Sequence, residues 1–179
     1  IRGFTSMSET LAGNPEVVLD IVNRFHSAMT DIILANGGTI DKYIGDALMA
    51  LFGAPMSTKV EDDAYNTIAA AIAIKNECAK IREQLIREGK TAVNVGIGIN
   101  TGDVVVGMVG STKMMNYTAI GDAVNTAARI EANAGAGQVL ISRATYELVK
   151  DRVQVKTLDA IMVKGKREPV EIFEVTGLN

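Results

Sequence analysis

Hydrophobic and polar positions follow two rhythms along this chain. Behind Asn14-Pro15, the apolar residues Val17, Val18, Ile21, Val22, Phe25, Met29, Ile32 and Ile33 recur every three or four positions. That spacing predicts an amphipathic helix, with Asn14 as cap, Pro15 as first helical residue and Gly37-Gly38 as stop. His26 sits at the edge of the stripe, the place of a packed or partly solvated helix histidine. A second helix is predicted from about residue 60 to residue 88. Its apolar side carries Ala64, Ile68, Ala71, Ile72, Ala79, Leu85 and Ile86, and Gly89 closes it. Cys78 lies inside that pattern and reads as a buried, inert thiol. Further helices are expected after Gly121-Asp122 and over residues 142–150.

The other rhythm is that of strands. Residues 39–44 and 47–52 flank Gly45-Asp46, a two-residue hairpin signal in Gly-first order. Residues 93–100 and 103–109 are expected to form a second pair, and residues 139–141, 153–157, 161–163 and 170–175 further strands. Helices alternate with hairpins and not with single crossovers, which excludes a Rossmann-type doubly wound sheet. The pattern predicts a ferredoxin-like (split βαβ) α/β sandwich with an antiparallel or mixed sheet. Ile1-Arg2-Gly3-Phe4 leads at once into what reads as a loop. The chain is therefore expected to be an excerpt of a longer protein, cut close to its own first strand.

Composition narrows the chemistry. A length of 179 residues suits one domain. Eighteen Lys and Arg against 21 Asp and Glu give a net charge of -3, which argues against a nucleic-acid wrapper. The longest apolar stretch, residues 68–74, is far short of a bilayer span, and residues 1–10 lack the pattern of a signal peptide. One cysteine excludes a disulfide framework and fits a reducing cytoplasm; one histidine leaves little room for His-ligated metals or a Ser-His-Asp triad. Chemistry must come from carboxylates, amides, backbone N–H groups and Lys or Arg.

Few positions supply those groups in a suggestive setting. Gly3-Phe4-Thr5-Ser6 is amide-rich enough to aim N–H groups at a phosphate, as any Gly-Ser loop is. There is no P-loop motif, and Gly96 and Gly98, inside a strand pattern, read as structural. Asp46 at a hairpin tip suits a hard divalent cation and equally a plain turn aspartate. Lys42 shares a face with Asp46 in an extended geometry and is equally a surface lysine. Asn125 and Arg129, four apart on one helix face, suit a ribose or a phosphoryl oxygen, or simply face solvent. Lys164 and Lys166 alternate, so at most one serves a given site.

Four segments taken together resemble the class III nucleotidyl cyclase catalytic domain. They are Ile1-Arg2-Gly3-Phe4-Thr5; Asp41 through Gly53, reading DKYIGDALMALFG; Asn116 through Asn125, reading NYTAIGDAVN, with Arg129; and Val163-Lys164-Gly165-Lys166. They span essentially the whole chain, in order. The resemblance implies one catalytic domain over residues 1–179, truncated so that its first strand and first metal-binding aspartate are absent. It implies two Mg²⁺ or Mn²⁺ ions per site, with Asp46 matching the second metal aspartate and Ile1 offering a backbone carbonyl. Gly3, Phe4 and Thr5 would cradle the β- and γ-phosphates. Lys42 and Thr118 match the adenine-recognising pair, Asn125 the ribose-orienting asparagine, Arg129 the arginine at the pentavalent phosphorus and Lys164 the lysine on the terminal phosphates. Lys113 falls near a further basic phosphate contact.

The resemblance further implies conversion of ATP to cyclic AMP and pyrophosphate, at sites shared by a head-to-tail homodimer. It also implies a cytoplasmic catalytic domain, with regulatory or sensor regions elsewhere in the protein. Guanylate-making relatives usually carry Glu and Cys where Lys42 and Thr118 stand, so these residues favour ATP over GTP. A non-catalytic nucleotide sensor is disfavoured, since Lys42, Asn125, Arg129 and Lys164 are all present. A diguanylate cyclase is disfavoured because Gly37-Gly38 is followed by Thr39 and Ile40.

Overall fold

The computed structural model describes residues 1–57, 59–162 and 169–179. A short helix α1 (Phe4–Thr10) precedes the long α2 (Pro15–Ala35). The hairpin β1 (Thr39–Ile44) and β2 (Ala47–Leu51) follows, then α3 (Val60–Arg87). Next come β3 (Ile97–Ile99), β4 (Val105–Ser111), β5 (Met114–Ile120) and α4 (Asp122–Asn133). The chain closes with β6 (Val139–Ser142), α5 (Arg143–Val149), β7 (Val153–Thr157) and β8 (Ile172–Leu178).

A mixed sheet in the order β3-β6-β8-β7 forms the centre, with β3 parallel to β6 and the other pairs antiparallel. All four residues of β6 are buried, because helices cover both faces. Val139 and Ile141 join the cluster under α3 and α5, which contains Ile68, Ala71 and Val149. Leu140, turned the other way, packs with Ile130 and Ala134 at α4. The second half of α3 leaves the sheet and joins α2 over the β1–β2 hairpin, burying Ile21, Phe25, Ile81 and Leu85. Each such side chain contributes about 1.5–3 kcal/mol by leaving water. The expected α/β sandwich is present, and no helix among the described residues is long and apolar enough to cross a membrane.

The strand reading needs three corrections. Residues 93–100 and 103–109 do not pair: only Ile97–Ile99 is a strand there, and it lies beside β6. β4 pairs instead with β5, a strand not placed in the sequence reading although Met115 to Ala119 alternates apolar and polar residues. Residues 161 and 170 meet only in an isolated bridge, and the last strand runs Ile172–Leu178. The expected loop at the start is also largely helical. Gly3 adopts φ 81 at the N-cap of α1, and the fully buried Met7 anchors that helix on α2.

Candidate active site

The β1–β2 hairpin is the hub of the candidate site. Gly45 takes φ 62 at its turn, a value that glycine adopts without strain, so the two-residue connection closes tightly. The turn presents Asp46 beside the N-terminal segment, where its Oδ2 lies 3.1 Å from the Ile1 nitrogen. The hairpin is braced from below by α2. The His26 ring stacks on Tyr43 at 4.5 Å between centroids, and the Tyr43 hydroxyl lies 2.7 Å from Thr30 Oγ1. Burial holds the His26 imidazole below its ordinary pKa, outweighing the opposite pull of the Asp46 backbone and charge.

One residue further into β1 the register slips. Ile40 faces Ala50 but Lys42 faces Met49, so Asp41 is the extra residue of a bulge. Its side chain, 1% exposed, turns toward β5. There Asp41 Oδ2 accepts from the Thr118 hydroxyl at 2.8 Å, and Oδ1 accepts from the Ala119 N–H at 3.1 Å. The Lys42 ammonium lies 3.3 Å from the same Oδ2. Lys42 and Thr118, far apart in sequence, are thus brought to one carboxylate. The shared face expected for Lys42 and Asp46 is not realised as one cluster: Asp46, in the turn, faces Ile1, while Lys42 faces Asp41.

Asn125 and Arg129 both lie exposed on α4, and Thr126 and Ile130, the residues that follow each of them, point into the core. Three contacts fix that helix. Gly98 passes so close that a Cβ there would overlap the Glu131 backbone. Asn100 donates from Nδ2 to the Ala123 carbonyl at 3.0 Å. Arg2 donates to the carbonyls of Ala134, at 2.6 Å, and Glu131, and its guanidinium pairs with the Glu131 carboxylate at 2.8 Å. Gly3 and Thr5 are exposed at the start of α1, while Phe4 packs against the α2 cluster. Lys113 stands exposed at the tip of the β4–β5 hairpin. Lys164 and Lys166 lie outside the described residues.

Sequence reasoning missed Asp41 and Arg2. An aspartate inside a strand, where that residue is disfavoured, was the available signal for Asp41; a buried partner 77 positions away was not visible. Arg2 offered no signal. A cavity of about 180 Å³ between β2 and β3, lined by Ile1, His26, Asp46, Ala70 and Val95, is mostly apolar. It is smaller than the few hundred Å³ of ordinary ligand pockets.

A family model described as the adenylate and guanylate cyclase catalytic domain matches residues 1–177. An adenylate cyclase of Anabaena cylindrica is 38% identical over 98% of the chain and 35% of its own length. Among solved structures, the adenylyl cyclase CyaB from P. aeruginosa superposes with a TM-score of 0.93, at 39% identity over 98% of this chain and 89% of that one. The guanylyl cyclase Cya2 also reaches 0.93, at 41% identity over 100% and 89%. The chain spans between 8% and 35% of the length of the curated relatives it matches.

Proposed function

The chain belongs to the class III adenylate and guanylate cyclase catalytic domain family, and on that footing we propose that it converts ATP to 3′,5′-cyclic AMP and pyrophosphate. The observation that carries the choice of base is the meeting of Lys42 and Thr118 at Asp41. A lysine ammonium donates to adenine N1, and the threonine oxygen accepts from the exocyclic amine.

The donor chemistry at the hairpin turn fits a hard divalent cation. Asp46 offers a carboxylate next to Ile1, whose carbonyl is a second oxygen donor. Mg²⁺ is held by one or two carboxylates together with substrate phosphates, so remaining ligands would come from the nucleotide. Asp46 and the Ile1 carbonyl would help to hold Mg²⁺ or Mn²⁺, two ions per site in this reading, which would supply acidification of the ribose 3′-OH and offset of charge on the departing pyrophosphate. Asn125 orients the ribose so that its 3′-oxygen is in line with the α-phosphorus. Arg129 places positive charge where the pentavalent phosphorus develops its negative charge, an effect worth about 3 kcal/mol at a preorganised site. Gly3, Phe4 and Thr5, at the start of α1, would offer N–H groups to the β- and γ-phosphates, and Lys164 is assigned to the terminal phosphates by the family pattern alone. No protein nucleophile is needed.

We further propose that the site forms between two copies of the chain in a head-to-tail pair. Asp46, Ile1 and the start of α1 would come from one copy and Lys42, Thr118, Asn125, Arg129 and Lys164 from the other. The β4–β5 hairpin supports this reading. It is a two-stranded sheet of its own, yet it exposes apolar residues such as Val105, 76% exposed, and Met114, 71% exposed. A two-stranded ribbon is marginal in water, and burial against a second copy stabilises it.

The likeness to a guanylyl cyclase favours a second reading, cyclic GMP from GTP at the same residues. One assay separates the two. The full-length protein is given ATP or GTP with Mg²⁺ or Mn²⁺, alone and with Lys42→Glu combined with Thr118→Cys. ATP is expected to be the better substrate, and the double substitution to depress its kcat/KM far more than that of GTP. An unchanged ATP:GTP ratio removes Lys42 and Thr118 from base recognition.

A further inference from the structure

The hydroxyl of Thr118 is, by itself, a poor discriminator between purines. A threonine hydroxyl has one proton to give and two lone pairs to offer, and it rotates to suit its partner. It can accept from the 6-amino group of adenine or donate to the 6-oxo group of guanine. We propose that Asp41 removes this ambiguity and is the positioning residue that sets the preference for adenine. The inference rests on the reading of Lys42 and Thr118 as base-recognising residues and deepens it.

The geometry is specific on this point. Asp41 and Thr118 are both withdrawn from solvent, with the Asp41 side chain 1% and Thr118 6% exposed. Water is therefore not at hand to exchange partners with them. Asp41 Oδ2 takes the Thr118 hydroxyl hydrogen at 2.8 Å, while Oδ1 is held by the Ala119 N–H at 3.1 Å. A carboxylate only accepts, so the single proton of Thr118 is committed to it. What remains facing away from Asp41 is a lone pair. A 6-amino group satisfies that lone pair; a 6-oxo group brings oxygen against oxygen in a pocket with no proton to place between them, and such unpaired contacts are strongly discriminating. Lys42 follows the same logic. Its ammonium lies 3.3 Å from Asp41 Oδ2 and keeps further N–H donors free for N1, which accepts in adenine and carries hydrogen in guanine. The bulge makes the arrangement possible: in regular register, Asp41 would not be the extra residue that turns inward beside Thr118.

Asp41→Asn is nearly isosteric and reverses the hydrogen bond. Its amide oxygen still accepts from Ala119, but its NH₂ donates to Thr118, whose proton is then free to meet guanine. The test measures kcat/KM for ATP and GTP with the full-length protein and its Asp41→Asn, Thr118→Val and doubly substituted forms. Asp41→Asn is expected to lower the ATP:GTP ratio at least tenfold, with GTP turnover rising in absolute terms. Added to Thr118→Val, it should move the ratio no further. A merely structural aspartate would instead depress both substrates together. If Thr118→Val shifts the ratio and Asp41→Asn leaves it within twofold, the role of Asp41 is overturned while base recognition by Thr118 stands. If neither Thr118→Val nor Lys42→Met moves the ratio, the base-recognition reading itself falls.

A further arm needs no substitution at Asp41. Inosine triphosphate shares the 6-oxo edge of GTP without its 2-amino group. It is expected to be as poor a substrate as GTP for the unsubstituted protein, and turnover matching that of ATP would overturn the proposal. Thr118→Ser, which keeps the hydroxyl for Asp41, should retain the ATP preference that Thr118→Val loses; an equal loss in both also counts against it.

Discussion

Gly98 lies where β3 passes under α4, and that closeness is one of the three contacts that place Asn125 and Arg129. A Cβ at Gly98 would overlap the backbone of Glu131, a rigid neighbour that cannot swing aside as a side-chain tip does. Gly98→Ala is expected to cost about 1–3 kcal/mol, as overpacking a tight contact does, and to lower kcat by tilting α4. Gly13→Ala is the control, since nothing lies within 4 Å of a Cβ there and its φ is not in the left-handed region. It should stay within about 0.5 kcal/mol of the unsubstituted protein. Thermal unfolding compares the two; equal Tm values would show that the β3–α4 contact is looser than the geometry implies. The structural reading of Gly98 was legible from its place in a strand pattern, but the neighbour that makes it indispensable was not. Cys78 was legible in full: burial pushes its thiol up to about 12, so it should resist a disulfide reagent in the folded protein and react on unfolding.

At the scale of elements, what the pattern predicted well was what sequence-local physics decides. The stripe of α2, the 28-residue α3 and the Gly45 turn all rest on spacing and on glycine, which need no knowledge of distant partners. β5 and the bulge at Asp41 escaped because they are settled by partners elsewhere, β4 for the strand and Thr118 for the aspartate. The same distinction governs the tie between α2 and the end of α3. Arg24 meets Glu88 at 2.7 Å, and Lys90 bridges Asp20 at 2.9 Å and Glu88 at 2.8 Å. Arg24 and Lys90 together hold the Glu88 carboxyl down at about 2, from an ordinary 4.5. A carboxyl with a depressed folded pKa adds stability above its unfolded pKa and loses it as pH falls toward the folded one. Stability should therefore drop between pH 4.5 and about 2, and Glu88→Gln should flatten that part of the profile. The group lies at the surface, so added salt should flatten it as well. Denaturant midpoints across that pH range provide the measurement, and an identical profile for Glu88→Gln would place the acid sensitivity elsewhere.

At the scale of the whole molecule, the candidate groups make their contacts in different places. Asp46 faces Ile1 on one side of the hairpin, while Lys42 meets Thr118 through Asp41, and Asn125 and Arg129 stand exposed on α4. A shared site makes a quantitative demand on mixtures of defective chains. On the proposed arrangement, Asp46→Ala homodimers of the full-length protein would lack the metal carboxylate in both clefts, and Arg129→Ala homodimers would lack the transition-state charge in both. In a mixed dimer, one cleft joins the intact Asp46 of the Arg129 variant to the intact Arg129 of the Asp46 variant, and the other cleft carries both lesions. Random pairing of equal amounts makes about half of the dimers mixed, and half of their clefts are whole, as two-fold symmetry requires. Two inactive proteins should then recover about a quarter of the normal rate once their subunits exchange. The measurement is cyclic nucleotide formation against mixing ratio, with mixed dimers verified by differently tagged chains. If the mixed dimers form, both variants are folded, and activity still does not return, each chain builds its own site and the interfacial arrangement is wrong.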